Sequence, residues 1–279
     1  MTPLRVFSVA TFGLLFGSLA SFAAAQDLFP DKALEAAVRQ QVFEKRNNTM
    51  PLVEADVVNI SVVRGKGKKI TNLAGLEKCK SLAELDLSDN EIVDLAPIKD
   101  LKGIQLLDLA KNKIESVAPL AELTGLQYLK LDGNKIADVA PLSKATNMRF
   151  LELTGNQVKD ISALTPMTKM NALYLDGNPV ADLKPLAALK GLERLGLRGV
   201  GAVDLSPIAE LTEFTFLFLE GNQITDLSVL VAMAKKDFEG QKRFAPFWRI
   251  YLKGNPLSDA AKTTQVEELK KMGARLVLE

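Results

Sequence analysis

Hydrophobic and polar positions along this chain repeat with a period of 22 residues. The period is based on the pattern Leu-x-x-Leu-x-Leu, in which Ile, Met or Phe replaces the first leucine in some copies, and asparagine usually follows three residues after the last leucine. A period of this length indicates stacked structural repeats, because one 22-residue turn cannot bury its apolar face alone. The asparagines that keep the spacing are Asn90, Asn112, Asn134, Asn156, Asn178 and Asn222, and Val200 occupies the one skipped position.

Each period predicts one short strand and one outer turn. The Leu-x-Leu pair is typical of a strand whose alternate residues point inward, and asparagine at the bend can satisfy backbone groups that the turning chain leaves unpaired. Pro207 after Ser206 predicts a helical turn on the outer side, with Ser206 as its N-cap. A periodic aspartate is predicted to cap the loops rather than to catalyse; its copies are Asp94, Asp138, Asp160, Asp182, Asp204 and Asp226.

Both ends of the repeat array predict helical caps. Pro30, Asp31 and the spacing of Leu34, Val38 and Val42 predict an amphipathic helix of about four turns. A second short helix is expected from Val53 to Asn59. The C-terminal cap is predicted to contain a helix from Ser258 to Met272, ended by Gly273. The resulting boundaries are 26–59 for the N-terminal cap, 60–257 for about eight to nine repeat turns, and 258–279 for the C-terminal cap.

The last repeat copy is interrupted. The interval between Asn222 and Asn255 is 33 residues, so the sequence holds an 11-residue insertion around residues 235–245. This insertion predicts a longer outer helix and loop. The last repeat copy then places Phe247, Ile250 and Leu252 at the core positions of the pattern.

The first 25 residues predict a signal peptide. Arg5 is the only charged residue before a run from Val6 to Gln26, which has an apolar centre and ends in Ala23-Ala24-Ala25. Cleavage is expected after Ala25. An uncleaved anchor is the alternative, since about 20 apolar residues can span a bilayer. The chain is therefore predicted to be exported, either to a periplasm or out of the cell, and to be free of the membrane after cleavage.

These motifs resemble the 22-residue leucine-rich repeats of bacterial internalin-like proteins, over about residues 60–257. The resemblance implies an α/β fold, a right-handed solenoid or horseshoe with a concave parallel sheet and short helical turns on the convex side. It also implies an N-terminal helical cap. Internalins often continue into immunoglobulin-like and wall-anchoring segments, which are not expected here, since the sequence ends after the predicted C-terminal cap.

Composition narrows the possible chemistry. The chain has 35 Lys and Arg against 34 Asp and Glu, no His, and a single cysteine, Cys79. The missing histidine excludes imidazole catalysis and imidazole metal sites, and the balanced charge argues against nucleic acid as the main ligand. Cys79 aligns with Leu101 and Leu123 and is predicted to be a small buried hydrophobe. We expect no cofactor and no metal.

The phase of the repeat predicts which side chains face outward on the concave sheet. All three tyrosines of the chain fall at these positions. Phe216 is expected between Arg194 and Arg249, while Ala172 and Gly196 are expected to leave a recess. Aromatic side chains with arginine are typical of a protein-binding surface, although aromatic residues also suit strands. The predicted contact residues are Tyr128, Phe150, Tyr174, Arg194, Gly196, Arg198, Phe216, Phe218, Arg249 and Tyr251.

Two functions fit this pattern. The first is an exported, monomeric recognition module that binds a macromolecule, expected to be a protein, on its concave face and has no enzymatic activity. The second is a cell-envelope glycan-binding protein or glycan hydrolase that uses Asp86 and Asp108, predicted neighbours on adjacent strands, with aromatic residues as sugar platforms. Retaining hydrolases hold two carboxyl groups about 5–5.5 Å apart. An open sheet, however, gives such a pair little desolvation.

Overall fold

The computed structural model describes residues 27–244 and 247–279, which form a solenoid around one parallel sheet. The predicted signal peptide lies outside these residues. Neighbouring strands in the sheet follow one another in chain order. The strands are β1 (Val62–Arg64), β2 (Glu84–Asp86), β3 (Leu106–Asp108), β4 (Tyr128–Lys130), β5 (Phe150–Glu152), β6 (Ala172–Tyr174), β7 (Arg194–Gly196), β8 (Phe216–Phe218), β9 (Arg249–Tyr251) and β10 (Arg275–Val277).

The strand register follows the sequence period. Leu85 pairs with Leu107, and Leu107 pairs with Leu129, so each repeat adds one leucine to a continuous buried column. The outer side carries short 3-10 turns at Leu76–Lys78, Ala96–Ile98, Ala118–Leu120, Ala140–Lys144, Ser162–Leu164, Lys184–Ala188 and Ser206–Ile208. This architecture confirms the predicted solenoid with a concave sheet and convex helical turns.

The periodic aspartates hold the start of the outer turns. Asp94 Oδ1 accepts a hydrogen bond from the Ala96 N–H at 2.8 Å, and Asp204 Oδ1 accepts one from the Ser206 N–H at the same distance. The other copies repeat this contact with the residue two positions on. The structural role is therefore confirmed, but Ser206 is not the cap: it is the first residue of the 3-10 turn, and Asp204 caps it.

The periodic asparagines join each turn to the one before it. Asn112 Oδ1 accepts a hydrogen bond from the Ile92 N–H at 3.0 Å, and its Nδ2 donates to the carbonyls of Leu87 and Leu109, both at 3.0 Å. The other asparagines of the array do the same and, Asn255 apart, are all buried. These asparagines form a continuous row, here called the asparagine row, that satisfies backbone groups inside the stack, as predicted.

The asparagine row is interrupted at Val200. Without an amide there, the Val180 N–H bonds instead to the Asn178 carbonyl at 2.9 Å. Residue 179 is proline and has no N–H to give to the preceding turn, while the Gly201 N–H goes to Asn222 Oδ1 at 3.0 Å. Packing is looser at the same place: Val180 is 9% exposed, against 0% for Val158 one repeat earlier.

The N-terminal cap contains two helices, α1 (Lys32–Arg39) and α2 (Glu54–Val57). Asp31 is the N-cap of α1, and Leu34 and Val38 are buried on its inner face. The predicted four-turn helix is wrong in length, since α1 has eight residues. Val42 is still buried, but it lies in the turns that follow the helix.

The insertion forms a long outer helix, α3 (Ser228–Glu239), followed by a loop, as predicted. Phe247, however, is not a core residue, because its side chain is 66% exposed. Trp248 and Phe244 are buried instead, with ring centroids 4.4 Å apart. The insertion thus shifts which aromatic residues fill this end of the core.

The C-terminal cap contains a π-helical segment, Ala261–Gln265, that continues into α4 (Val266–Lys271). The backbone then turns at Gly273, which has a positive φ of 91°. Strand β10 follows and pairs with β9. The repeat pattern did not predict β10. No helix in residues 27–244 or 247–279 has the length and apolarity to cross a bilayer.

Cys79 is fully buried in the core, as predicted. Burial raises the pKa of its thiol to about 12, and the nearby Glu77 carboxylate adds to this effect. The thiolate, which is the nucleophilic form, is therefore not populated at neutral pH.

Candidate functional site

Six aromatic side chains form one continuous row on the concave face, here called the aromatic ladder. The rings of Tyr128 and Phe150 are stacked with centroids 4.2 Å apart and an interplanar angle of 12°, and Phe150 lies 5.8 Å from Tyr174. Each side chain is half-buried. The members of the ladder are Tyr128, Phe150, Tyr174, Phe216, Phe218 and Tyr251.

The aromatic ladder crosses strand β7, where the residue at the level of the rings is a glycine. Tyr174 on β6 and Phe218 on β8 have centroids 6.2 Å apart, although β7 lies between them. Gly196 is the β7 residue at that level: its register partners are Tyr174 and Phe218. Both rings can therefore lean over the glycine and meet.

The predicted recess at Gly196 is therefore wrong. A Cβ at this position would lie 2.7 Å from Tyr174 Cδ1 and 2.8 Å from Asp176 Oδ1. The space above the glycine is already filled by these two side chains. Ala172, the other predicted recess residue, is also buried. The concave surface is a continuous row of rings at this point, and Gly196 contributes to it by leaving room.

Three arginines lie over the C-terminal end of the ladder. The Phe216 ring has Arg194 at 6.0 Å on one side and Arg249 at 5.3 Å on the other, which confirms the predicted cation–π arrangement. Both arginines are exposed. Phe218 also stacks on Tyr251 at 4.8 Å, as predicted.

Arg198 is held by contacts within the protein. Its Nη1 lies 2.8 Å from Asp176 Oδ2, its Nε lies 3.1 Å from Glu220 Oε1, and its guanidinium lies 4.1 Å from the centroid of Phe218. It therefore fixes the Phe218 ring, whereas Arg194 and Arg249 keep their hydrogen-bond donors open to solvent. Sequence reasoning placed Arg198 on the face, but only the structure shows that it is already paired.

Carboxylates cluster at the N-terminal half of the concave face. Asp86 and Asp108 are register neighbours on β2 and β3. Burial raises the pKa of the Asp108 carboxyl, and the Asp86 charge adds to it, while the hydrogen bond from Ala110 opposes the shift. The pKa of Glu152 is raised in the same way, first by burial and then by Asp132. Like charges are thus held together on this half.

The carboxyl groups of Asp86 and Asp108 have partners within the protein. Asp86 Oδ1 accepts hydrogen bonds from the N–H and hydroxyl of Ser88, and Lys130 lies 4.0 Å from Asp108. The depression above the pair is open and about 280 Å³ in volume. In residues 27–244 and 247–279, no cluster of three or more Asp, Glu or Cys side chains is arranged to hold a metal ion.

Two exposed side chains extend this surface beyond the predicted residues. Leu106 on β3 is 43% exposed and pairs in register with Tyr128, so it lengthens the apolar row. Arg275 pairs in register with Arg249 and adds a positive charge on β10. Leu106 falls at an outward-facing position of the repeat, and its hydropathy could have selected it. Arg275 was missed because β10 breaks the 22-residue spacing.

Comparison with known proteins identifies the repeats. A family model described as Leucine rich repeat matches residues 80–136, and one described as Leucine Rich repeats (2 copies) matches residues 124–166. The crystal structure of internalin C2 from Listeria monocytogenes is 28% identical, with a TM-score of 0.63, over 90% of this chain and 95% of that one. The chain contains leucine-rich repeats and is similar to an internalin over most of its length.

Other solved structures share the fold. A leucine-rich-repeat protein from Leptospira interrogans is 24% identical with a TM-score of 0.64; the match covers 74% of this chain and 51% of that one. The functional domain of InlJ from Listeria monocytogenes is 17% identical with a TM-score of 0.52, over 90% of this chain and 60% of that domain. No curated protein sequence matches this internalin-like chain.

Proposed function

We propose that this internalin-like protein is an exported recognition module that binds a protein partner along its concave face. The observation that carries the proposal is the aromatic ladder, six rings on the solvent side of a sheet whose other side is the core. The rings are covered only in part, by one another and by arginine. An apolar row of this extent on an open face is typical of an interaction site.

The fold supports this use of the surface. A leucine-rich-repeat solenoid is in general a scaffold for protein interaction, and its curvature presents an extended concave surface. Rigid strands hold the ladder, so little side-chain entropy remains to be lost on binding. The boundaries proposed for the module are a cap at 26–59, the solenoid at 60–257 and a cap at 258–279, with the chain acting as a monomer.

The geometry of the rings favours a protein over a glycan. A sugar platform needs a free ring face, but Tyr128 and Phe150 stack face to face, as do Phe218 and Tyr251. The ring faces inside these two pairs are therefore not available to a sugar. Asp86 and Asp108 are half-buried and already accept hydrogen bonds from the nearby N–H groups of Ser88 and Ala110, so we do not favour a hydrolase.

Export is the second part of the proposal. Cleavage after Ala25 would leave 279 − 25 = 254 residues that begin at Gln26. We expect a mature protein of this length in the envelope or medium fraction of the cells that make it. Mass spectrometry of its N-terminal peptide tests this. A chain that keeps residues 1–25 in the membrane fraction would contradict cleavage, whereas a chain in the cytoplasmic fraction would contradict export.

Partner capture tests the binding proposal. The mature chain, immobilised, is exposed to envelope and medium fractions, and retained proteins are identified by mass spectrometry. A double variant, Tyr174→Ala with Phe218→Ala, removes the centre of the ladder. We expect it to lose the specific partner while it keeps the circular dichroism spectrum of the parent protein.

A convex variant provides the matched control. Val93 and Val203 are exposed on the outer side, at 57% and 65%, so Val93→Ala with Val203→Ala removes apolar surface away from the ladder. This control is expected to retain the partner. Equal capture by the ladder variant and the parent protein would overturn the proposed concave site. Light scattering of the same samples tests the monomer.

A further inference from the structure

The charges on the concave face are separated along the sheet, and the aromatic ladder runs from one sign to the other. Strands β2 to β5 carry acidic side chains with a single lysine, whereas β7 to β10 are dominated by basic ones. The acidic half consists of Glu84, Asp86, Asp108, Asp132 and Glu152, against Lys130. The basic half consists of Arg194, Arg198, Arg249, Lys253 and Arg275, against Glu220 and the chain-terminal Glu279.

The charges at both ends are only partly neutralised within the protein. In the acidic half, Arg64 pairs with Glu84 at 2.7 Å, and the Lys130 ammonium lies 4.0 Å from Asp108. In the basic half, Arg198 is paired, whereas Arg194 and Arg249 lie beside the Phe216 ring and form no salt bridge within the part of the chain that the structure describes. Each half therefore keeps charge that a ligand of opposite sign can approach.

The acidic half would gain from such a ligand. Asp86 and Asp108 sit side by side, and the raised pKa values of Asp108 and Glu152 report burial together with repulsion between neighbouring carboxylates. A cationic group placed over them relieves that repulsion. The exposed guanidinium groups of Arg194 and Arg249 are suited to hold a carboxylate at the opposite end.

We propose that the concave face docks an elongated protein segment that is cationic at the end over β2 to β5 and acidic at the end over β7 to β10, with apolar side chains along the aromatic ladder between them. This inference rests on the proposed protein-binding function and adds the chemistry and orientation of the partner. Charge complementarity of this kind fixes the register of a complex and speeds encounter.

The ladder sets the length of that segment. From Tyr128 on β4 to Tyr251 on β9 there are five strand spacings, or about 24 Å at roughly 4.8 Å each. A helix of about 16 residues covers this distance at about 1.5 Å per residue. Its positive N-terminus would lie over the acidic half, and its negative C-terminus over the arginines, in agreement with the helix dipole.

Two synthetic helical peptides of identical composition test the proposal. Both carry the same apolar face and the same hydrocarbon staple, which holds them equally helical although lysines at a helix N-terminus and glutamates at its C-terminus oppose the dipole. One places lysines in its first turns and glutamates in its last turns, and the other interleaves the same charges. The mature chain is expected to bind the segregated peptide at least tenfold more tightly at low ionic strength, by fluorescence anisotropy. This preference should weaken as salt is added, because exposed charges are screened.

Charge reversal in the protein supplies the second measurement. Arg194→Glu with Arg249→Glu is expected to abolish the preference for the segregated peptide. Lys184→Glu with Lys190→Glu is the matched control, since both lysines are exposed on the outer side of the β6 to β7 turn and the net charge changes equally. The control should keep the preference of the parent protein.

The outcomes separate the two proposals. Equal affinity for both peptides, with Phe218→Ala weakening both, would overturn the charge polarity and leave the ladder as a binding surface. Peptide binding that is unaffected by Phe218→Ala would count against the ladder as well. An unchanged preference in the reversed Arg194 and Arg249 variant would also overturn the polarity, wherever the peptide binds.

Discussion

The rings of Tyr174 and Phe218 lie 6.2 Å apart even though they stand on strands that are not neighbours. Gly196, on the strand between them, makes this contact possible. A side chain at that position would separate the ladder into an N-terminal and a C-terminal part. The continuity of the proposed binding surface therefore depends on the absence of one Cβ.

Gly196→Ala is expected to destabilise the protein by about 1–3 kcal/mol, the usual cost of overpacking. The new Cβ would clash with Tyr174 Cδ1 and Asp176 Oδ1, so the rings must move. Urea denaturation measures the change in the free energy of unfolding. Gly191→Ala is the control, because the nearest atom to its added Cβ is the Met170 carbonyl oxygen at 3.4 Å. Its stability is expected to change by less than about 0.5 kcal/mol. Equal behaviour of the two variants would contradict the steric role of Gly196.

Val200→Asn is expected to raise the free energy of unfolding by about 1 kcal/mol, because the new amide can bond to the Val180 N–H and the Leu175 carbonyl. Hydrogen exchange should slow at the amides of residues 180–183. The reverse change at a regular position, Asn134→Val, is expected to cost about 3 kcal/mol or more. It leaves the Ile114 N–H without its partner and removes one of the two asparagine bonds to the carbonyls of Leu109 and Leu131. Unchanged hydrogen exchange in Val200→Asn would show that the missing asparagine at position 200 is not the cause of the looser packing at Val180.

Asp108→Asn is expected to stabilise the protein at neutral pH. The folded pKa of Asp108 lies above its ordinary value of 3.8, so the folded state binds the proton more tightly than the unfolded state. Above the folded pKa, the charged carboxylate therefore lowers the free energy of unfolding. This loss disappears as pH falls below the pKa that Asp108 has in the unfolded state. The gain in Asp108→Asn should be present at pH 7 and absent below about pH 3.8, as measured by urea denaturation across pH. A gain that is constant with pH would rule out an electrostatic origin.

Phe214 and Phe247 occupy the same position of the repeat pattern, but their mutations are expected to differ. Phe214 is 1% exposed, and Phe214→Ala should cost about 3–5 kcal/mol. Phe247 is 66% exposed, and Phe247→Ala should cost less than about 0.5 kcal/mol. Thermal and urea denaturation of the two variants measures the difference. A large loss in Phe247→Ala would show that its side chain packs against the core in solution.

The repeat positions could be read from the sequence because each one has the same neighbours as its counterpart 22 residues away. Asn112 and Asn134 perform the same backbone bonding, and Leu107 and Leu129 fill the same column. Cys79 was assigned to the core by this logic, since a position in a repeat inherits its burial. The faces of the strands follow in the same way, which is why the tyrosines were found on the concave side.

The same logic fails where the period is broken. Across the insertion before β9, the repeat pattern predicted Phe247 to be a core residue. In the structure, Phe244 and Trp248 fill this space instead. Strand β10 lies outside the repeat, so its pairing with β9 depends on the C-terminal cap and not on a pattern. The length of α1 was also misjudged, because hydrophobic spacing continues through Val42 after the helix has ended.

The sequence by itself determined the stacking, the buried columns and the side of the sheet on which each aromatic side chain lies, because local periodicity dictates the direction of every side chain in a repeat. Only the tertiary structure decided how those side chains meet. Rings lean across a glycine, and Arg198 is held between Asp176 and Glu220. Such contacts depend on side-chain torsions and on the spacing of strands that are distant in the chain, which no single repeat encodes.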